Sequence, residues 1–109
     1  MRKIREIELA GRACTIKLNN MALATVEKQL GKSIVAVMQE GFGIEALHTL
    51  LWQGMKAYEP KLKLRDVYDL VDEAIDQEPE KYQEIMEALI SLVMECLGLG
   101  EEEEKKSME

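Results

Sequence analysis

Histidine occurs once in this chain, at position 48, and cysteine twice, at positions 14 and 96. A lone imidazole makes any acid–base or nucleophilic scheme depend on carboxylates or thiols brought from distant segments, and no motif supplies them. Cys14 falls in an expected strand and Cys96 on the apolar face of an expected helix, so both read as buried, reduced thiols rather than a disulfide. Glycine-rich phosphate loops, paired zinc-ligand motifs and nucleophile elbows are all missing, which leaves no cofactor or metal to assign. The 14 basic residues form no dense cluster, which argues against a phosphate-tracking surface and against nucleic acid as a partner. No apolar run approaches bilayer length, and the first residues, with Arg2, Lys3 and Arg5, lack the unbroken apolar stretch of a signal peptide. The expectation is a cytosolic protein that neither spans nor binds a membrane.

What is present is the balance of a folded protein: 109 residues, 47% hydrophobic and 32% charged, with a net charge of -7. That length suits one domain with one modest core. The expected domain covers about residues 1–98 and the remainder, 99–109, is an acidic tail with four consecutive glutamates, expected to be flexible.

Along the chain, polar and apolar residues alternate on both sides of Ala10-Gly11, with Ile7 and Leu9 on one arm and Cys14, Ile16 and Leu18 on the other. This spacing predicts a hairpin over about residues 3–18 with one buried face. Gly11 suits the positive φ of a two-residue connection, whereas Ala10 is a weaker choice than Asn or Asp. Helical spacing then predicts five helices, at about residues 20–30, 33–40, 43–58, 64–77 and 79–97. Asn19 or Asn20 and Ser33 offer N-caps, Gly31 and Gly98 offer stops, and Pro79 suits a first helical position. The fold class is therefore α+β and mainly helical, an N-terminal hairpin packed on a bundle of about five helices.

Two clusters invite a chemical reading and are better read plainly. His48 flanks the apolar stripe of the third helix as an ordinary helix residue. Asp69, Asp72, Glu73 and Asp76 share a face of the fourth helix, which is expected to be a solvated surface rather than a cation site.

The last helix is broader than a single core requires. Taking Ile85 as zero, Tyr82, Met86, Leu89, Ile90, Leu92, Val93, Cys96 and Leu97 fill an arc of roughly 160°, and Met94 extends it. A helix packed by one side needs a stripe of about 100° or somewhat more. Either the helix lies in a groove and buries all of this within its own domain, or some of it stays available to another chain. The second reading makes Met86, Leu89, Ile90, Val93, Met94 and Leu97, with Trp52, the candidate protein-binding residues. Seven methionines fit either an adaptable contact surface or plain core filling.

The segments "LNNMALATVEKQLGKSIVAVM" and "IEALHTLLWQGMKAYEPKLKLRDVYDLVDEAI", with the hairpin before them, resemble the tail assembly chaperones of long-tailed bacteriophages and gene transfer agents. The matching features are a short strand pair, a "L…L…E…LG.s" helix, a "LLW.G" helix and a following "L.…v..L.d" pattern, over about residues 3–76. The resemblance implies a non-enzymatic protein of the bacterial host cytoplasm, not a component of the mature virion. Its partner would be the tape measure protein, kept soluble through apolar helix surfaces during tail tube assembly, with the tail tube protein as a further candidate partner and self-association expected. It also implies a longer form made by ribosomal slippage near the end of the frame. Glu104-Lys105-Lys106 is compatible with a slippery codon run, while a simple solubilising acidic end explains the same residues. The competing function class is a small regulatory or adaptor module that binds a host or phage protein.

Overall fold

The structure is a computed structural model and describes residues 4–99. The expected α+β architecture is what is found: an antiparallel hairpin followed by five helices. The expected acidic tail lies, apart from Leu99, outside the described residues.

Strands β1 (Ile4–Leu9) and β2 (Arg12–Lys17) pair antiparallel, with Ile7 opposite Cys14 and Leu9 opposite Arg12. The two-residue turn places both Ala10 (φ 54°) and Gly11 (φ 76°) in the left-handed region. This is the turn twist that matches a right-handed strand pair, and at Ala10 a Cβ-bearing residue adopts it. Directly opposed residues point the same way, so Ile7, Leu9, Cys14 and Ile16 form one buried face.

Helix α1 (Asn20–Leu30) begins at Asn19, whose side chain accepts from the Ala22 N–H at 2.8 Å, and ends at Gly31 in the left-handed conformation. Helix α2 (Ile34–Glu40) is capped twice: the Ser33 hydroxyl accepts from the Ala36 N–H at 3.0 Å, and the Glu27 carboxylate of α1 accepts from the Ile34 N–H at 2.8 Å. The bend between the two helices is thereby fixed from both sides.

Helix α3 (Ile44–Lys56) is the centre of the molecule. It packs against β2, α1, α4 and α5, and buries Leu47, Leu50, Leu51 and Met55 completely. Mid-helix Gly54 faces the hairpin: a Cβ there would sit well inside van der Waals contact of Ile16 Cγ2 and 3.5 Å from Leu18 Cδ2. Close approach of helix to sheet therefore requires glycine at this point of "LLWQG". The helix stops at Lys56, two residues short of the expected end, as the chain turns ahead of Pro60.

Helix α4 (Leu64–Gln77) carries half a capping box, the Asp66 carboxylate accepting from the Lys63 N–H at 3.0 Å. It turns Val67, Val71 and Ala74 inward. Helix α5 (Lys81–Cys96) starts later than expected. Pro79 precedes the helix instead of opening it, inside a turn closed by the Lys81 N–H donating to the Glu78 carbonyl at 2.9 Å. Gly98, at φ 74°, ends α5 as expected.

Candidate protein-binding surface

Helix α5 meets β1, α3 and α4, and these neighbours cover one side of it. Lys81, Ile85, Leu89, Leu92, Val93, Glu95 and Cys96 are buried. At 100° per residue they span roughly 160° centred on Ile85. Leu89 and Val93, expected at the binding surface, are fully buried, because they lie within that covered arc. The remaining four candidates on α5 lie beside it: Met86, Leu97, Ile90 and Met94 follow one another over roughly 100° to 180° from Ile85. Ile90 is 37% and Leu97 40% exposed, Met86 and Met94 are half-buried, and Leu99 continues the exposed apolar surface at 44%.

Trp52 stands apart from that stripe and has a structural task. Its indole N–H donates to the Leu62 carbonyl at 2.9 Å, tying the α3–α4 link to α3, and the Lys56 ammonium lies 4.5 Å above the ring centre. The residue as a whole is half-buried.

The opposite flank of the α5 arc holds groups that the sequence analysis did not single out. Glu95 is buried, and its carboxylate receives both arms of the Arg5 guanidinium, at 2.6 Å and 3.4 Å. Arg5 also donates to the Ser91 hydroxyl at 2.6 Å. Period-2 alternation places Arg5 on the same face as Ile7 and Leu9, and register sets it opposite Ile16. Arg12 lies on that face at the other end and pairs with Glu59, which follows α3. Both arginines thus stand at the rims of the buried sheet face, each facing a carboxylate, one on α5 and one in the link after α3. The signal was the basic residue continuing the apolar alternation at each end.

The residues with latent chemistry are dispersed. His48 is buried, its ring stacked on Tyr68 with centres 3.9 Å apart. Its Nδ1 lies 2.7 Å from the Ile44 carbonyl, which can only accept, so this nitrogen carries the proton. Asp69, Asp72, Glu73 and Asp76 are exposed along α4. Among the described residues, no three His, Cys, Asp or Glu side chains gather as a metal site, and every buried side-chain nitrogen or oxygen has a hydrogen-bond partner. No described helix is long and apolar enough to cross a membrane.

No family model, curated protein or solved structure matches the chain.

Cys14 and Cys96 are both buried and not joined in a disulfide. Burial pushes the Cys14 thiol above its usual range, against the opposing pull of nearby Arg12, with Glu59 adding to the rise. At the start of α5, the Lys81 ammonium donates to Glu84 at 3.0 Å and lies 3.5 Å from Glu78. The hydrogen bond to Glu84 raises its pKa most, against the lowering effect of burial. Neither environment activates a nucleophile: a raised thiol pKa suppresses the thiolate, and a raised ammonium pKa holds the proton in place.

Proposed function

We propose that this protein is a binding module without enzymatic activity, a tail assembly chaperone of the long-tailed phage type. It covers apolar helices of a tape measure protein in the bacterial cytoplasm until tail tube subunits enclose them. The observation that carries this reading is the stripe Met86, Ile90, Met94 and Leu97, apolar surface that the domain's own packing leaves on a helix. An unassembled tape measure helix exposes the same kind of surface and aggregates unless it is covered. Methionine at two of the four positions suits a partner whose apolar spacing varies along its length, because the unbranched thioether repacks at low cost.

Further support comes from the segments that carry the family resemblance. The hairpin and the "LLWQG" helix touch at Ile16 and Gly54, so two parts of the pattern far apart in sequence answer one packing requirement.

The test is coexpression with a fragment of the tape measure protein. The wild-type chain is expected to keep the fragment soluble and to copurify with it. An Ile90→Asp, Leu97→Asp double variant, with circular dichroism unchanged because both positions are exposed, is expected to lose most of that effect. A fragment that stays insoluble beside the wild-type chain rejects the chaperone reading and leaves a regulatory or adaptor module as the better description.

A further inference from the structure

Away from α5, the chain forms a concave feature lined by both apolar and charged side chains. The end of α1, helix α2 and the first turn of α3 enclose an open cleft of about 240 Å³. For scale, an apolar protein cavity of about 150 Å³ accommodates benzene, so this cleft has room for a large aliphatic side chain. Leu30, Val37, Ala46 and Ile44 supply its apolar walls, and Ile44 is 65% exposed at the rim. Gly41 and Gly43 bound the remaining side, and a Cβ at either would meet no atom of the described residues within 4 Å.

The walls are held in place before anything binds. Helix α2 is fixed at its N-terminus by the Glu27 and Ser33 caps. The Lys32 ammonium and the Glu40 carboxylate, both lining the cleft, pair with each other at 2.8 Å. Their charges cancel locally. That leaves Glu45, which also lines the cleft, without an ion-pair partner among the described residues. The local charge is thus one negative, on a chain whose net charge is -7.

We infer that this cleft is a docking pocket for one leucine- or methionine-sized side chain on a partner's amphipathic helix that carries a lysine or arginine about one turn away, placed to meet Glu45. The apolar walls fix the size and nature of the inserted group, and the unbalanced carboxylate fixes the sign of the flanking charge. This deepens the proposed function and rests on the reading of the protein as a binder of apolar helices. It adds a second anchoring point on the chain, away from the α5 stripe. Two separated anchors on one chain let a long helical partner be held by contacts that are individually weak.

The test uses the full chain and a synthetic amidated helical peptide of leucine, alanine and lysine, roughly 18 residues or five turns long, with lysines flanking a leucine face. Methyl resonances of Val37 and Ile44 are expected to shift on titration. Ile44→Asp is expected to weaken binding about tenfold or more, through lost burial of the isoleucine. Position 44 is exposed in a first helical turn, where an acid is tolerated, and Ile44→Ser serves as a second variant. Glu45→Lys is expected to weaken binding to this peptide and to restore it to one with glutamates in place of the lysines.

The inference is overturned if the wild-type chain does not bind the peptide, if shifts are confined to Ile90 and Leu97, or if Ile44→Asp and Ile44→Ser bind as tightly as wild type. It is also overturned if sedimentation shows a dimer that Ile44→Asp separates, because the occupant is then a second copy of this chain. Tape measure coexpression reports separately. Peptide binding at the cleft with no effect on the tape measure fragment removes the chaperone reading and keeps the pocket, and the converse result removes the pocket alone.

Discussion

Ala10 has a positive φ of 54° with a Cβ attached, a conformation that costs L-residues about 1–2 kcal/mol and that glycine and asparagine adopt more easily. Ala10→Asn and Ala10→Gly are therefore expected to stabilise the protein by roughly 0.5–1 kcal/mol in urea denaturation, with asparagine giving the favoured Asn-Gly turn. The opposite sign is expected at Gly54. In an exposed helix Gly→Ala gains about 1 kcal/mol from propensity. Here the added methyl meets Ile16 in a fully buried layer, and overpacking of this kind typically costs about 1–3 kcal/mol. Gly54→Ala is thus expected to lower the urea midpoint, and a variant of unchanged or higher stability would show that α3 and β2 can separate freely.

At the scale of elements, the hairpin and α5 are joined by more than apolar contact. Arg5 from the first strand reaches Ser91 and the buried carboxylate of Glu95 at the end of the last helix. Arg5→Ala strands that carboxylate, and with Arg5 itself partly open to water the loss is expected to be about 2–3 kcal/mol. Replacing both partners, Arg5→Met with Glu95→Leu, is expected to cost less than the single change, which a double-mutant cycle measures directly. The elements themselves were legible. Alternation around Ala10-Gly11 marked the hairpin, and Asn19, Ser33, Gly31 and Gly98 marked helix ends because capping is settled within one turn of chain. Pro79 misled by two residues: its fixed φ suits a β-turn as well as a first helical position, and the choice depends on how the link to α4 closes. The close approach at Gly54 was not read from "LLWQG", because a single glycine in a helical pattern does not say what packs against it.

For the molecule as a whole, two protonation sites point to one pH dependence. Burial raises the Cys14 pKa above its ordinary 9.0, and the hydrogen bond to Glu84 raises that of Lys81 above 10.5. In each case the folded chain holds its proton more tightly than the unfolded chain, so folding is favoured in full below the unfolded values. The contribution is lost as pH climbs through the raised folded values. Stability is therefore expected to fall on the alkaline side, beginning above about pH 9, and the fall between about pH 8 and about pH 10 is expected to be smaller in Cys14→Ala. Urea midpoints across that range test this, and equal slopes in both proteins would reject the role given to Cys14. The same whole-molecule view explains which part of the candidate surface was legible. Periodicity determined that α5 carries an apolar arc too wide for one contact, since that follows from residue spacing alone. It could not decide which edge of the arc stays uncovered. Leu89 and Val93 are enclosed while Ile90 and Leu97 remain outside, and Glu95 is buried while the acids of α4 stay in water. Only the docking of β1, α3 and α4 against one side of that helix made those assignments, because burial depends on which surfaces meet, whereas helix and strand formation depends mainly on neighbours along the chain.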